Sequence, residues 1–148
     1  VYELSKVENI EAIKEASGNI SQVAEIAKLC GDDFYIYSGN DDMIVPILSL
    51  GGKGVISVVA NILPKETHEI VTKFINGDVL ESKNIQLKML DLINSLFIEV
   101  NPIPVKTAMN VLGMNVGNLR LPLTNMDDNN RSILINVMEE YGVKKWGK

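Results

Sequence analysis

Residues 9–37 read NIEAIKEASGNISQVAEIAKLCGDDFYIY, and the apolar period changes twice within them. Ile10, Ala12 and Lys14 share one side of an extended segment, with Glu11 and Ile13 on the other, so Asn9–Lys14 is predicted to be a strand. Ser17, Gly18 and Asn19 make a turn. Ile20, Val23, Ala24, Ile26, Ala27 and Cys30 then recur at helical spacing, with Asn19 as N-cap and Gln22 three residues further on. Gly31, Asp32 and Asp33 stop that helix, and Phe34–Tyr37 is short and β-prone. The unit is strand, helix, strand.

The alternation continues outward. Ser38 to Asp42 form a turn that can cap a helix over Asp42–Leu50, which the glycines around Lys53 end. Val55–Val59 is apolar on both faces, as a covered parallel strand is. Pro64 opens a helix running to Asn76, with Gly77 as its C′ residue. Short loops in a β-α-β-α-β-α order predict a parallel sheet with right-handed crossovers. Beyond Gly77 only helices are expected. One is a long amphipathic helix over Asp78–Glu99 carrying Ile85, Leu87, Leu90, Ile93 and Leu96. Pro102 and Pro104 interrupt it; a short helix over Val105–Leu112, a loop over Asn115–Thr124 and a last helix over Asp127–Tyr141 follow. Residues 1–77 thus form one unit and 78–148 a helical one. Three βα units fall short of the eight of a closed barrel, so the pattern fits either a small α/β domain or part of a barrel.

Composition removes several classes. Net charge is −5 and aromatics are 5% of the chain, which leaves neither the basic stripe nor the stacking surface of a nucleic-acid binder. No apolar run approaches the ~20 residues of a membrane span. Nothing at the start reads as a signal peptide, and Cys30 is the sole cysteine, so a reducing cytoplasmic setting is expected, without an internal disulfide or a CxxC site.

Few side chains suggest chemistry. Lys14 closes a strand predicted to be buried, and burial depresses an ammonium pKa, as a nucleophilic amine requires. A lysine at a strand end also snorkels to solvent or pairs with Glu11 or Glu15. Gly39 allows close approach of a ligand to the backbone or simply turns the chain. Asn40, Asp41 and Asp42 suit a helix cap as well as acid–base or metal chemistry. Ile56 belongs to the third strand as a core residue, with Ser57 able to donate beside it. His68 reads as a surface histidine without metal-ligating companions. Cys30 reads as a small core residue, and Trp146 either packs on a partner or lies in a frayed end. The glycines flanking Lys53 resemble a phosphate loop but precede a strand, not a helix.

Four stretches acquire meaning together: Ile13–Gly18 (IKEASG), Tyr37–Asp42 (YSGNDD), Gly51–Val58 (GGKGVISV) and Asn101–Lys106 (NPIPVK). In this order and spacing the chain resembles the C-terminal half of the dihydrodipicolinate synthase family, pyruvate-dependent class I aldolases of the N-acetylneuraminate lyase superfamily. Asn40 stands where that family more often has Asp. The resemblance implies the last three βα units of a (β/α)₈ TIM barrel at 1–77 and a three-helix C-terminal domain at 78–148. It implies a Schiff base on Lys14, with Ile56 and Gly39 lining the pyruvate site, and condensation of pyruvate with L-aspartate 4-semialdehyde toward lysine and diaminopimelate. No metal and no organic cofactor is implied. The family's carboxylate-binding threonines, proton-relay tyrosine and substrate-binding arginine would lie upstream, so these residues alone are expected to be inactive. Open sheet edges predict pairing with the N-terminal half of the barrel or with another copy, and the family forms dimers and tetramers. The rival readings are a sugar-acid lyase of the same superfamily and a half-barrel interaction module without activity.

Overall fold

The computed structural model describes residues 1–145, and Trp146 lies outside them. A first helical turn, α1 (Tyr2–Ser5), leads into β1 (Ala12–Glu15), α2 (Ile20–Cys30), β2 (Tyr35–Ser38), α3 (Ile44–Ser49), β3 (Gly54–Val55) and α4 (Pro64–Ile75). The later segment holds α5 (Val79–Lys88), α6 (Leu90–Ser95), α7 (Ile103–Val111) and α8 (Asp128–Tyr141). The strands form one parallel sheet in the order β1-β2-β3, with Lys14 opposite Tyr37 and Tyr37 opposite Gly54. The α/β alternation and the parallel sheet are as the sequence predicts.

Local chemistry sets most boundaries. Asn19 Oδ1 accepts from the N–H groups of Ser21 and Gln22 at 3.0 and 3.2 Å, filling two of the free donors at the start of α2. The Gln22 side chain does not return to the cap; it donates to Glu15 Oε1 at 3.1 Å. Asn19→Ala is expected to cost about 1 kcal/mol, read as a lowered urea midpoint with an unchanged slope. At the far end of α4, Gly77 adopts φ +89°, the left-handed value of a C′ residue.

Three expectations need correction. The third strand does not reach Val59: its ladder covers only Gly54–Val55, and Val59–Asn61 form a 3₁₀ turn. The helix expected from Asp42 begins as a 3₁₀ turn over Asp41–Met43, and none of its side chains caps it. The long helix after Gly77 is divided at Met89, whose N–H is shared between the carbonyls of Ile85 and Gln86 at 3.1 and 3.2 Å. Its inward side also differs, for Leu87 is exposed and Gln86 is buried. Gln86 takes that place because Oε1 accepts the Val45 N–H at 2.7 Å and Nε2 donates to the Asp42 carbonyl. Without Gln86 these backbone groups, freed where the chain enters α3, would lack partners.

The core lies on one side of the sheet. Val23, Ile26, Ile36 and Ile47 pack β2 against α2 and α3. A larger cluster joins Ile44, Val59 and Ile70 to Met89, Leu92 and Leu134, and so runs across the 77/78 boundary without a break. At the end of α8 the Tyr141 phenol is held above its usual pKa by burial, then by Glu66 and Glu69 of α4.

Candidate functional site

The sheet has two unlike faces. Ile13, Glu15, Ile36, Ser38 and Val55 point toward the helices and are buried or half-buried. Ala12, Lys14, Tyr35, Tyr37 and Gly54 alternate with them, and Ile56 continues their row. On this second face Lys14 is exposed, Tyr35 is 42% exposed and Ile56 is 50% exposed. Two expectations change here. Lys14 is not buried, and Ile56 is not a core residue, because both occupy the face opposite the one that packs on α2 and α3. Alternation identified the shared face correctly but not what lies over it.

Lys14 enters none of the ion pairs among the described residues, which join Lys6 to Glu3, Lys65 to Glu69 and Lys73 to Asp78. In this structure Lys14 is therefore paired with neither Glu11 nor Glu15. Glu15 points to the other face, where its Oε1 accepts from the Ser17 N–H and from Gln22. Exposure alone would suit a solvated lysine as well as a nucleophile.

Gly39 is what singles Lys14 out. Its N–H donates to the Glu15 carbonyl at 2.6 Å, drawing the end of β2 onto the end of β1. A Cβ placed on Gly39 would stand 3.0 Å from Lys14 Cε and 2.6 Å from the Ala16 Cβ. The backbone therefore passes directly along the lysine stem, and only glycine leaves room. Ile56 stands two residues beyond Gly54 on the same face, anchored by its N–H to the Ser38 carbonyl at 2.8 Å. The three candidate residues thus gather at the C-terminal ends of three adjacent parallel strands, where α/β folds bind ligands.

A cleft of about 440 Å³ opens beside this point, bounded by Ala16 and Gly39 on one side and by Ile93, Asn94 and Phe97 on the other. It brings α6 and the residues after it to the site, which the sequence reading missed; the exposed Phe97 among apolar helix positions was the one available signal. Asp41, which also lines the cleft, is one of the three residues that suit a helix cap as well as acid–base or metal chemistry. It does cap, but not its own helix: Oδ2 accepts from the N–H groups of Val58 and Val59 at 3.0 and 2.8 Å. His68 is exposed on α4, and Cys30 packs half-buried against the α2 core, as expected for both. Among the described residues no three His, Cys, Asp or Glu side chains gather as metal ligands, and no helix is long and apolar enough to cross a membrane.

With this geometry in place, similarity to known proteins is specific. Residues 1–141 match the model of the Dihydrodipicolinate synthetase family. The 4-hydroxy-tetrahydrodipicolinate synthase of Caldicellulosiruptor saccharolyticus is 66% identical over 141 residues, covering 95% of this chain and 48% of the relative. The crystal structure of dihydrodipicolinate synthase from Aquifex aeolicus superposes with a TM-score of 0.92 at 41% identity, over 99% of this chain and 50% of that one. The chloride-inhibited dihydrodipicolinate synthase of Acinetobacter baumannii, solved in complex with pyruvate, gives a TM-score of 0.91 at 34% identity, over 96% and 49%. The chain spans about half the length of the curated relatives it matches.

Proposed function

The chain belongs to the dihydrodipicolinate synthetase family, and from that premise we propose that it forms the C-terminal half of a 4-hydroxy-tetrahydrodipicolinate synthase in which Lys14 is the Schiff-base lysine. In this reading residues 1–77 are the last three βα units of a (β/α)₈ barrel and residues 78–148 its helical C-terminal domain. The first-half strands would cover the face on which Lys14, Tyr37 and Ile56 stand. The observation that carries the proposal is the passage of Gly39 along the Lys14 stem at the C-terminal end of parallel strands.

The chemistry follows from the lysine. Its neutral amine attacks the ketone carbon of pyruvate, and the resulting carbinolamine loses water to give an iminium. The positive nitrogen accepts the electron pair left when a methyl proton departs, so an enamine forms. The enamine carbon attacks the aldehyde of L-aspartate 4-semialdehyde, and the new carbon–carbon bond restores the imine. The amino group of that substrate then displaces Lys14 from the imine carbon and closes the ring. The imine is itself the electron sink, so the sequence of steps calls for neither metal nor organic cofactor. Ile56 offers an apolar wall to the pyruvate methyl, and Gly39 leaves its backbone close to the reacting carbon.

The Acinetobacter neighbour's pyruvate supports the first substrate. The 66% identity with the Caldicellulosiruptor enzyme supports the second over a sugar acid. A cytoplasmic role in lysine and diaminopimelate synthesis, and assembly into dimers or tetramers, complete the reading. The test is reductive trapping. The complete protein, incubated with pyruvate and borohydride, is expected to gain one lactyl-sized adduct, which peptide mass spectrometry places on Lys14. Residues 1–148 alone are expected to show no turnover. An adduct on another lysine overturns the site, and turnover by this chain alone overturns the division of labour between the halves.

A further inference from the structure

We infer that Asp41 is a positioning residue for the Lys14 site: its carboxylate ends β3 and thereby fixes where Ile56 and Ser57 stand relative to Gly39. The inference rests on the reading of Lys14 as the Schiff-base lysine. Asp41 is only 1% exposed. Its Oδ2 accepts from Val58 and Val59, and Ser57 Oγ accepts the next N–H, that of Ala60, at 2.9 Å. Three successive backbone donors are thus taken by side chains. The last ladder bond of β3 is the one from the Ile56 N–H to the Ser38 carbonyl. Beyond it the chain cannot stay extended, because its donors are already committed to the Asp41 and Ser57 side chains.

The anchor itself is held firmly. Ser38 Oγ accepts the Asn40 N–H at 3.2 Å and donates to the Asn40 carbonyl at 2.7 Å, closing the turn that carries Gly39. Gln86 grips the Asp42 carbonyl and the Val45 N–H from α5. Asp41 stands between these grips, so it transfers the position of the β2 turn to the segment after β3. Among the described residues, the amide pair at Oδ2 is the only hydrogen bonding that this buried carboxylate receives. A cap that served only the 3₁₀ turn would ordinarily come from the residue just before it. Here it comes from 17 residues upstream and joins two of the three strands that build the site.

The complete protein provides the test, with Asp41→Asn and Asp41→Ala assayed for KM of pyruvate, kcat and amide exchange. Displacement of Ile56 removes binding common to ground and transition states. The alanine variant should therefore raise KM about tenfold while kcat stays within about threefold. The asparagine variant, whose amide oxygen still accepts, should give a smaller rise in KM and faster exchange at Val58 and Val59. If the alanine variant does not fold, the asparagine variant decides alone. Faster exchange with a wild-type KM shows a purely structural cap and overturns the inference. Unchanged exchange and unchanged KM overturn it too. Wild-type protein that traps no pyruvate overturns the Lys14 reading and this inference with it. Trapping by wild type, with Asp41→Asn at wild-type KM, overturns this inference alone.

Discussion

Lys14→Ala in the complete protein is expected to lower kcat/KM for the condensation by about a thousandfold or more and to abolish the borohydride-trapped adduct. The size of the effect follows from the chemistry. Without the imine, a methyl proton of pyruvate must leave with no cationic nitrogen to receive its electron pair, and no second amine stands on that sheet face among the described residues. The other side chains on that sheet face belong to Ala12, Tyr35, Tyr37 and Ile56. Lys53 lies at the opposite, N-terminal end of the strands, with its ammonium 5.8 Å from the centre of the Tyr35 ring. Lys53→Ala is therefore the control that should keep the adduct. Because Lys14 is exposed and unpaired among the described residues, its removal should change stability by no more than about 0.5 kcal/mol. Loss of activity with an unmoved melting temperature is the expected pair of results. Retention of more than a tenth of wild-type kcat/KM would remove Lys14 from the mechanism.

Gly39→Ala should be nearly as damaging, for a reason of space. Gly39 is not among the positive-φ residues, so its backbone angles would accept alanine. The added methyl would instead meet the Ala16 Cβ at 2.6 Å, Lys14 Cε at 3.0 Å and the Glu15 carbonyl at 3.1 Å. The lysine stem can swing away, but relief at the Ala16 Cβ requires the backbone to shift and the bond from the Gly39 N–H to Glu15 to lengthen or open. Overpacking of this kind costs about 1–3 kcal/mol. A displacement of the nucleophile by about 1 Å is worth on the order of a hundredfold in rate. The two consequences separate in a double variant. Ala16→Gly added to Gly39→Ala removes the closest contact and should recover most of the stability. The contact with Lys14 remains, so activity should recover less. Wild-type kinetics for Gly39→Ala would show that the close approach has no bearing on the site.

Elements governed by neighbours in sequence were legible from the chain. Asn19 caps α2, Gly77 ends α4, and Asp127 and Gly142 bracket α8, all through bonds or angles spanning a few residues. The strand β1 and the face holding Lys14 followed from alternation. What failed depended on partners far along the chain. β3 stops early because Asp41, 17 residues before Val58, takes its amide. Gln86 replaces Leu87 on the inner side of α5 because backbone groups 41 and 44 residues upstream need partners. Residue type predicts neither. The exposure of Lys14 and Ile56 belongs to a third kind: period tells which side chains point together, not whether another layer covers them. The role proposed for Lys14 rests on four separated motifs that carry meaning only as a set.

The core that crosses Gly77 has a consequence for how the chain is divided. Ile44, Val59 and Ile70 on one side of that glycine and Met89, Leu92 and Leu134 on the other complete a single packed cluster. The change from βα units to helices therefore marks a change of architecture, not a seam of independent stability. Heat or denaturant should melt the two segments together, because either one alone would expose half of a shared interior. Exchange of residues 78–148 between relatives, a natural cut by element type, would have to carry matching substitutions on α3 and α4 to keep that interior filled.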